Sequence, residues 1–210
     1  MNKFNPDDIT KEIGLVDIYK SIRSKLQVSR INSFSTLAVF AMLIVYATTS
    51  SESSISLLEK VRKWSELGFT FATGIMGFLI AGFTIFATVS DKNLFVMMAK
   101  TPHKSGLSNL KYNFFTLMSV FITYLGFSIL CLLVQLLGGT SGFILIIIRF
   151  IAEESSFLIV KRFLAGLAIV VIGTWFFYSL ILLQSFIFNI YHIVMTAIRW
   201  EVENDTQDKN

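Results

Sequence analysis

Four long stretches of the chain carry no Asp, Glu, Lys or Arg, and segments within them such as LAVFAMLIVY and IVVIGTWFFYSLILL are apolar on every face. The four stretches cover residues 31–49, 67–89, 112–137 and 163–188. A helix needs about 20 such residues to cross roughly 30 Å of hydrocarbon. Backbone amides in lipid must be paired within the protein, and these stretches lack the alternation of a barrel strand, so they predict helices. The pattern predicts an all-α polytopic membrane protein with four transmembrane helices.

Composition agrees with this class and excludes others. The chain is 54% hydrophobic and only 15% charged, whereas about a quarter of a soluble domain is charged. A disordered chain and a soluble nucleic-acid binder are therefore excluded. Cys131 is the single cysteine and lies inside a predicted span, which excludes a disulfide scaffold. The first apolar stretch begins behind a long charged segment, so we expect an uncleaved span there, without a cleaved signal peptide.

The basic residues predict how the chain crosses the membrane. Twelve of the 18 Lys and Arg residues lie in the amino-terminal segment, in the loop between the second and third spans, and in the tail. Basic residues concentrate on the cytoplasmic side, so both termini are predicted to be cytoplasmic. The predicted parts are a cytoplasmic amphipathic lead over 1–30, a four-helix membrane domain over 31–192 and a disordered acidic tail over 193–210. The net charge of +4 is explained by this topology. It therefore does not indicate direct binding of nucleic acid, and we expect none.

The lead has apolar residues at helical spacing and basic residues on the rest of its surface. The apolar residues are Leu15, Ile18, Tyr19, Ile22 and Leu26. The basic residues are Lys20, Arg23, Lys25 and Arg30. This pattern predicts an amphipathic amino-terminal helix that lies on anionic headgroups of the bilayer. The alternative is a docking helix for a cytoplasmic partner.

Small residues form a stripe along one face of the second span. Its members are Thr70, Thr73, Gly77, Ala81, Thr84 and Thr88, with Gly74 at its border. Small side chains at spacings of three and four let a second helix approach closely, so the stripe predicts a helix-packing or oligomer interface. Hydroxyl groups also suit a conduction path, so a water-filled pore lined by the threonines is the alternative.

Residues that carry chemistry are scarce within the spans. None of the four spans holds an ionisable acid or base, although coupled transport ordinarily requires one. Gln135 and Gln184 are read as amides that bind a neighbouring helix, and His192 as a snorkelling or capping group near a helix end. His103 and His192 have no carboxylate at ligand spacing. We therefore expect no enzyme, no catalytic residue, no cofactor and no metal.

Two segments outside the spans have distinctive composition. The middle loop combines four lysines, Lys92, Lys100, Lys104 and Lys111, with the apolar residues Phe95, Met97 and Met98. Methionine adapts to irregular surfaces, so the loop predicts a docking site anchored by these three residues; half-burial against the helix ends is the alternative. Residues 138–160 contain an apolar run too short to span, which predicts an external interfacial or re-entrant helix acting as a lid, a sensor or a strap.

The run GFLIAGFTIFATVSDKNLF, over residues 77–95, resembles the second-span signature of small bacterial four-span proteins. The layout of lead, four spans and basic middle loop is similar to that of the membrane subunit of the Kiwa antiphage defence system. This resemblance implies a homo-oligomer of the bacterial inner membrane, with a tetramer as the implied stoichiometry. It also implies that the protein detects infection and recruits a cytoplasmic DNA-binding effector protein. Two functions therefore compete: a membrane sensor or scaffold that holds an effector, and a channel-like or pore-forming oligomer.

Overall fold

The structure, a computed structural model, describes residues 11–26, 30–89, 92–138, 142–151 and 154–207. These residues form α-helices joined by short connections, with no β-strand in the described ranges. The helices are α1 (Leu15–Lys25), α2 (Arg30–Thr49), α3 (Ser54–Val89), α4 (Lys92–Lys100), α5 (Asn109–Leu137), α6 (Phe143–Ile151) and α7 (Glu154–Gln207). The prediction of an all-α fold is confirmed.

The four predicted spans correspond to helices that are long and apolar enough to cross a membrane. They are Arg30–Thr49, Ser54–Thr84, Asn109–Leu137 and Phe157–Trp200. Two helices run well beyond the charge-free stretches. α3 begins at Ser54 and includes Lys60, Arg62 and Lys63, because charged residues end a hydrophobic run without ending a helix. α7 continues to Gln207, so the expectation of a disordered tail is wrong for residues 193–207.

The chain divides into two compact units. The first unit comprises Met1–Gln27, Phe78–Ile122 and Leu182–Asn210, and the second comprises Val28–Gly77 and Thr123–Ile181. The first unit therefore contains α1, α4, the end of α3, the first half of α5 and the second half of α7. The second contains α2, α6, the start of α3 and the remaining halves of α5 and α7.

Aromatic packing and close helix contact form the core of the second unit. Phe127 and Tyr124 of α5 are fully buried. Phe71 of α3 lies between α5 and α7, with its ring 6.1 Å from that of Tyr124 and 5.3 Å from that of Phe176. Gln135 donates a 3.1 Å hydrogen bond from Nε2 to the carbonyl of Ser65. This bond joins α5 to α3 and confirms that the Gln135 amide binds a neighbouring helix.

The first unit packs the amphipathic lead against other helices. α1 forms as its apolar spacing predicts, and Ile22 is its buried residue. Just before α1, the Glu12 carboxylate lies 2.7 Å from the Lys111 ammonium at the start of α5. The Glu12 carboxylate also accepts a 3.3 Å hydrogen bond from Ser21. The lead is thus held to α5 within this unit.

Candidate functional site: the middle-loop surface and its cavity

The middle loop folds as α4 followed by a compact turn. α4 is amphipathic, and Leu94, Met98 and Ala99 form its buried face. Phe95 is half-buried, with its ring 6.5 Å from that of Phe114. Met98 is 5% exposed, so its assignment as a partner anchor needs correction, because the side chain is already packed within the unit. Half-burial against the helix ends describes Phe95 and Met97.

A tight turn follows α4 and fixes the position of Lys104. The backbone N–H of His103 donates to the carbonyl of Leu107 at 2.7 Å, and that of Asn109 donates to Thr101 at 2.9 Å. The His103 ring stacks on Tyr112 with 3.7 Å between centroids. Gly106 has a φ of 81°, a left-handed conformation that suits glycine. The turn therefore holds Lys104 on an ordered surface.

The four lysines of this loop have different environments. Lys92, Lys100 and Lys104 are exposed. The Lys111 side chain is only 12% exposed, as is its partner Glu12. Its ammonium also lies 5.4 Å from the centre of the Phe115 ring. Lys111 therefore contributes to packing, and the basic surface available to a partner reduces to the other three lysines, which we call the lysine surface.

A cavity of about 250 Å³ lies within the first unit, between α4, α5 and the second half of α7. It is lined by Met97, Met98, Thr101, Asn109, Asn113, Asn189, His192, Ile193 and Thr196. In the described part of the chain, no hydrogen bond is made by the side-chain amides of Asn109, Asn113 and Asn189. His192, which was predicted to snorkel or to cap a helix, lines this cavity, and its ring centre lies 4.5 Å from that of Phe188.

The cavity escaped sequence reasoning because its residues come from three separate elements. Asn109 and Asn113 lie one helical turn apart, and this spacing was a signal that could have marked a polar face at the start of α5. His192 is the one titratable side chain among the lining residues, so the cavity offers hydrogen bonds and thioether contact and carries no acid–base pair.

The small-residue stripe lies on the side of α3 opposite its packing face. The packing face in the second unit includes the buried residues Val61, Ser65 and Ala72. A Cβ added at Gly68 on this face would lie 2.8 Å from Phe127 and 3.1 Å from Cys131. At Gly77 of the stripe, nothing lies within 4 Å of an added Cβ. The face of α3 that packs in the second unit therefore carries Gly68 and Ala72, and the stripe at Gly77 is left available.

The remaining stripe residues are also open. Exposed members are Thr70, Gly74, Gly77, Ala81, Thr84 and Thr88, and Thr73 is half-buried. Three of the hydroxyl groups donate to backbone carbonyls of their own helix: Thr73 to Phe69 at 2.8 Å, Thr84 to Ile80 at 2.9 Å and Thr88 to Thr84 at 2.9 Å. Hydroxyls satisfied in this way suit a close helix contact in lipid.

The basic residues of the lead remain accessible. Lys20, Arg23 and Lys25 are exposed on α1, and Arg30 is exposed at the first position of α2. Leu15 and Tyr19 are also exposed on α1. The exposed lead fits both sequence interpretations, contact with anionic lipid and contact with a partner.

A polar cluster ties α2 to α3 in the second unit. Glu52, between the two helices, accepts hydrogen bonds from Lys60 and from the Tyr46 hydroxyl. Lys60 also donates to the Tyr46 oxygen at 2.9 Å. The hydrogen bond from Lys60 lowers the pKa of Glu52 below its ordinary value of 4.5. The cluster therefore keeps Glu52 ionised and holds the α2–α3 connection.

Metal ligands do not converge in the described ranges: they contain no group of three or more His, Cys, Asp or Glu residues placed to hold a metal ion. Comparisons with protein-family models, with curated proteins and with solved structures each found no match to this chain. The class defined by the fold is an all-α membrane protein with four helices that are long and apolar enough to cross a membrane.

Proposed function

We propose that this protein is a membrane sensor and scaffold that self-associates and recruits a cytoplasmic effector in antiphage defence. The observation that carries the proposal is the lysine surface: three exposed lysines on an ordered helix and turn, in a unit whose Met98 and Leu94 are packed inside. A fixed basic surface steers an acidic partner and selects its orientation. The proposed location is the bacterial inner membrane, with both termini and this surface in the cytoplasm.

The proposed partner is a cytoplasmic DNA-binding protein that presents an acidic patch. The effector itself, and not this chain, contacts nucleic acid in this scheme. Defence and the DNA-binding character of the partner come from the likeness to the Kiwa membrane subunit. The basic surface is the feature of this chain that supports recruitment. We further propose that the chain performs no catalysis and binds no cofactor or metal.

Self-association through the stripe is part of the same proposal. The exposed small residues of α3 provide a face on which a second helix fits, and the hydroxyls of Thr84 and Thr88 are already satisfied within α3. Gly77→Leu or Ala81→Leu should reduce assembly in detergent, because a large side chain separates the two backbones. Phe78, 62% exposed on another face, provides the matched control. Equal assembly of the three variants would reject the stripe as an interface.

The recruitment test uses the protein encoded beside this chain as the effector. A tagged chain in native membranes should recover that protein, and changing Lys92, Lys100 and Lys104 to Gln should reduce recovery at least fivefold. Arg62→Gln with Lys63→Gln is the control, since both residues are exposed and lie on the opposite predicted side. Undiminished recovery with the triple variant would reject the lysine surface as the docking site.

The pore remains a second candidate because Thr70, Thr84 and Thr88 are exposed on one face. Ion flux into liposomes containing the purified protein, followed for the wild type and Thr84→Val, separates the candidates. The pore would be the better proposal if two results came together: Thr84→Val abolishes ion flux, and the lysine changes leave effector recovery unaffected.

A further inference from the structure

Three asparagine side chains around the cavity of the first unit have polar groups without a partner in the described part of the chain. Asn109 and Asn113 of α5 and Asn189 of α7 line the cavity, and all three are half-buried. Each carboxamide carries two N–H donors and one carbonyl acceptor. None of these groups makes a hydrogen bond to a described residue. Their partners must therefore come from water or from a bound molecule.

The other polar groups of the lining determine which molecule suits the cavity. Thr101 Oγ1 donates to the Met97 carbonyl at 2.8 Å, and Thr196 Oγ1 donates to the His192 carbonyl at 2.8 Å. Both hydroxyl donors are thus used within their own helices. The described lining residues include no Asp or Glu. Without a carboxylate the lining does not favour a cation, and its amide N–H groups suit the acceptor oxygens of an anion.

Lys100 adds a positive charge beside the cavity. It is exposed and lies three residues after Met97, and residues at this spacing are neighbours on the surface of a helix. Because Met97 and Thr101 both line the cavity, Lys100 lies at its rim on α4. A phosphodiester accepts hydrogen bonds from amide N–H groups and is attracted by an ammonium group. The chemistry therefore favours a phosphodiester that also carries hydroxyl groups, which can donate to the carboxamide oxygens.

The cavity lies at the level where two predicted spans leave the hydrocarbon. Asn113 is the second residue of the charge-free stretch 112–137, and Asn189 directly follows the stretch 163–188. Lys111 directly precedes the first of these stretches, and charged side chains are kept out of the hydrocarbon core. The cavity therefore lies in the headgroup layer of the bilayer, where glycerophospholipids present their phosphodiesters.

An exposed apolar surface continues from the cavity toward the hydrocarbon. The His192 ring lines the cavity, and its centre lies 4.5 Å from that of Phe188 and 5.8 Å from that of Tyr191. Phe188 and Ile187 are 61% and 57% exposed and lie on the side of His192 toward the span. The cavity, at about 250 Å³, is smaller than the pockets of roughly 300–1,000 Å³ that hold whole small-molecule ligands. It has room for a headgroup, while acyl chains must lie outside it.

From these observations we propose that the cavity binds the headgroup of a phosphatidylglycerol molecule of the adjacent leaflet. The amides of Asn113 and Asn189 donate to the phosphodiester oxygens, and the headgroup hydroxyls donate to carboxamide oxygens. Lys100 balances the negative charge, and the acyl chains lie along α7 beside Phe188 and Ile187. Phosphatidylethanolamine fits less well because its ammonium group meets no carboxylate in the described lining. Phosphatidylcholine has no donor in its headgroup.

Titration of lipids into the delipidated wild-type protein in detergent tests the class of ligand. Native mass spectrometry should show one tightly bound dioleoyl phosphatidylglycerol, with a Kd at least fivefold lower than that of the dioleoyl ethanolamine or choline lipid. Glycerophosphoglycerol, the same headgroup without chains, should bind at least tenfold more weakly than the lipid. Equal affinity for the three lipids would overturn the proposal. Equal or tighter binding of glycerophosphoglycerol, or of AMP, would assign the cavity to a soluble ligand and would also overturn it.

Variants of the asparagines test the location of the site. Asn113→Leu with Asn189→Leu replaces two carboxamides by apolar groups of similar shape and should weaken binding of phosphatidylglycerol at least tenfold. Gln184→Leu is the matched control, because it removes an exposed amide of α7 outside the cavity and should leave the Kd unchanged. If the double Leu variant does not elute as a folded protein, Asn113→Ser with Asn189→Ser removes the same amides and should show the same loss. An unchanged preference for phosphatidylglycerol in either folded double variant would overturn the proposal. The lysine surface stays intact in these variants, so this proposal and effector recruitment can fail separately.

Discussion

The phenol hydroxyl of Tyr124 donates a 2.7 Å hydrogen bond to the main-chain carbonyl of Ser179. Both residues are fully buried, and the bond joins α5 to α7. The Ser179 hydroxyl is satisfied separately, because it donates to the carbonyl of Trp175 at 2.9 Å. No water is available in hydrocarbon to replace the contact of Tyr124, so this pair fixes the level at which the two helices meet.

Tyr124→Phe should destabilise the protein by about 1 kcal/mol, because hydrogen bonds between membrane helices typically contribute roughly 0.6 to 2 kcal/mol. Reversible unfolding in mixed micelles with increasing SDS measures the change. Tyr19→Phe, at an exposed position on α1, is the control and should have no effect. A loss no larger than that of the control would show that the bond contributes nothing net.

Gly68→Ala should destabilise the protein by about 1–3 kcal/mol through overpacking. The new Cβ would lie 2.8 Å from the Phe127 ring, which is itself held between Trp175 and Phe176. Gly77→Ala has open space and should be neutral or stabilising by up to roughly 1 kcal/mol, since alanine is the better helix former. The same SDS titration compares the two variants, and equal effects would mean that the packing face of α3 has been misassigned.

Charge-free stretches were sufficient to predict the helices but not their contacts. Both sides of α3 carry small residues, and the sequence favours the stripe around Gly77, whereas the packing in the second unit uses Gly68 and Ala72. Which side is used depends on where Phe127 of α5 lies, and that long-range relationship leaves no local signal. Gln135 was predictable because a lone amide in a span has few partners other than a neighbouring helix.

The helix boundaries beyond the spans were harder to predict. Lys60 and Arg199 interrupt apolar runs, but the backbone pattern of a helix tolerates such residues readily. The continuation of α7 to Gln207 was missed because His192 and Asn189 suggested the end of a span. The cavity beside these two residues could not be predicted from the sequence, because it forms only where α4, α5 and α7 meet in the folded chain.

Cysteine labelling should establish the orientation of the chain. In the Cys131→Ala background, Ser53→Cys should react with a membrane-impermeant maleimide in spheroplasts, and Ser24→Cys should react only after lysis. Both positions are exposed. The expectation follows from the excess of basic residues on the side of the termini. Reaction of Ser24→Cys in intact spheroplasts would invert the topology and remove the lysine surface from the cytoplasm.

Acidification should loosen the α2–α3 connection through Glu52. Because its pKa in the folded state lies below the ordinary 4.5, its stabilising effect is complete above pH 4.5 and is lost as pH falls through the lowered value. The effect should be small, since the cluster is solvent-exposed. Thermal unfolding in detergent at pH 7 and pH 3 should show a larger fall in Tm for the wild type than for Glu52→Gln. Equal falls in Tm for the two proteins would show that protonation of Glu52 does not cause the acid destabilisation.

Lys111→Gln should release the lead from α5, an effect that Lys100→Gln should not produce. The Lys111 ammonium pairs with Glu12 at 2.7 Å with both side chains mostly buried, while Lys100 is exposed. Loss of one partner from such a pair should cost about 1–2 kcal/mol, less than for a fully buried pair because some exposure remains. Trypsin cleavage at Lys20 and Arg23 in inside-out vesicles should therefore accelerate roughly five- to thirtyfold.

The reciprocal variant distinguishes the ion pair from other contacts of Lys111. Glu12→Gln should accelerate the same cleavage, and the double variant should be no faster than the more affected single variant, because the two changes remove one shared interaction. Effects of Glu12→Gln and Lys111→Gln that simply add would show that the two side chains act independently. In that case Lys111 would be available to a partner together with Lys92, Lys100 and Lys104. Lys111→Gln should then reduce effector recovery as much as Lys100→Gln does.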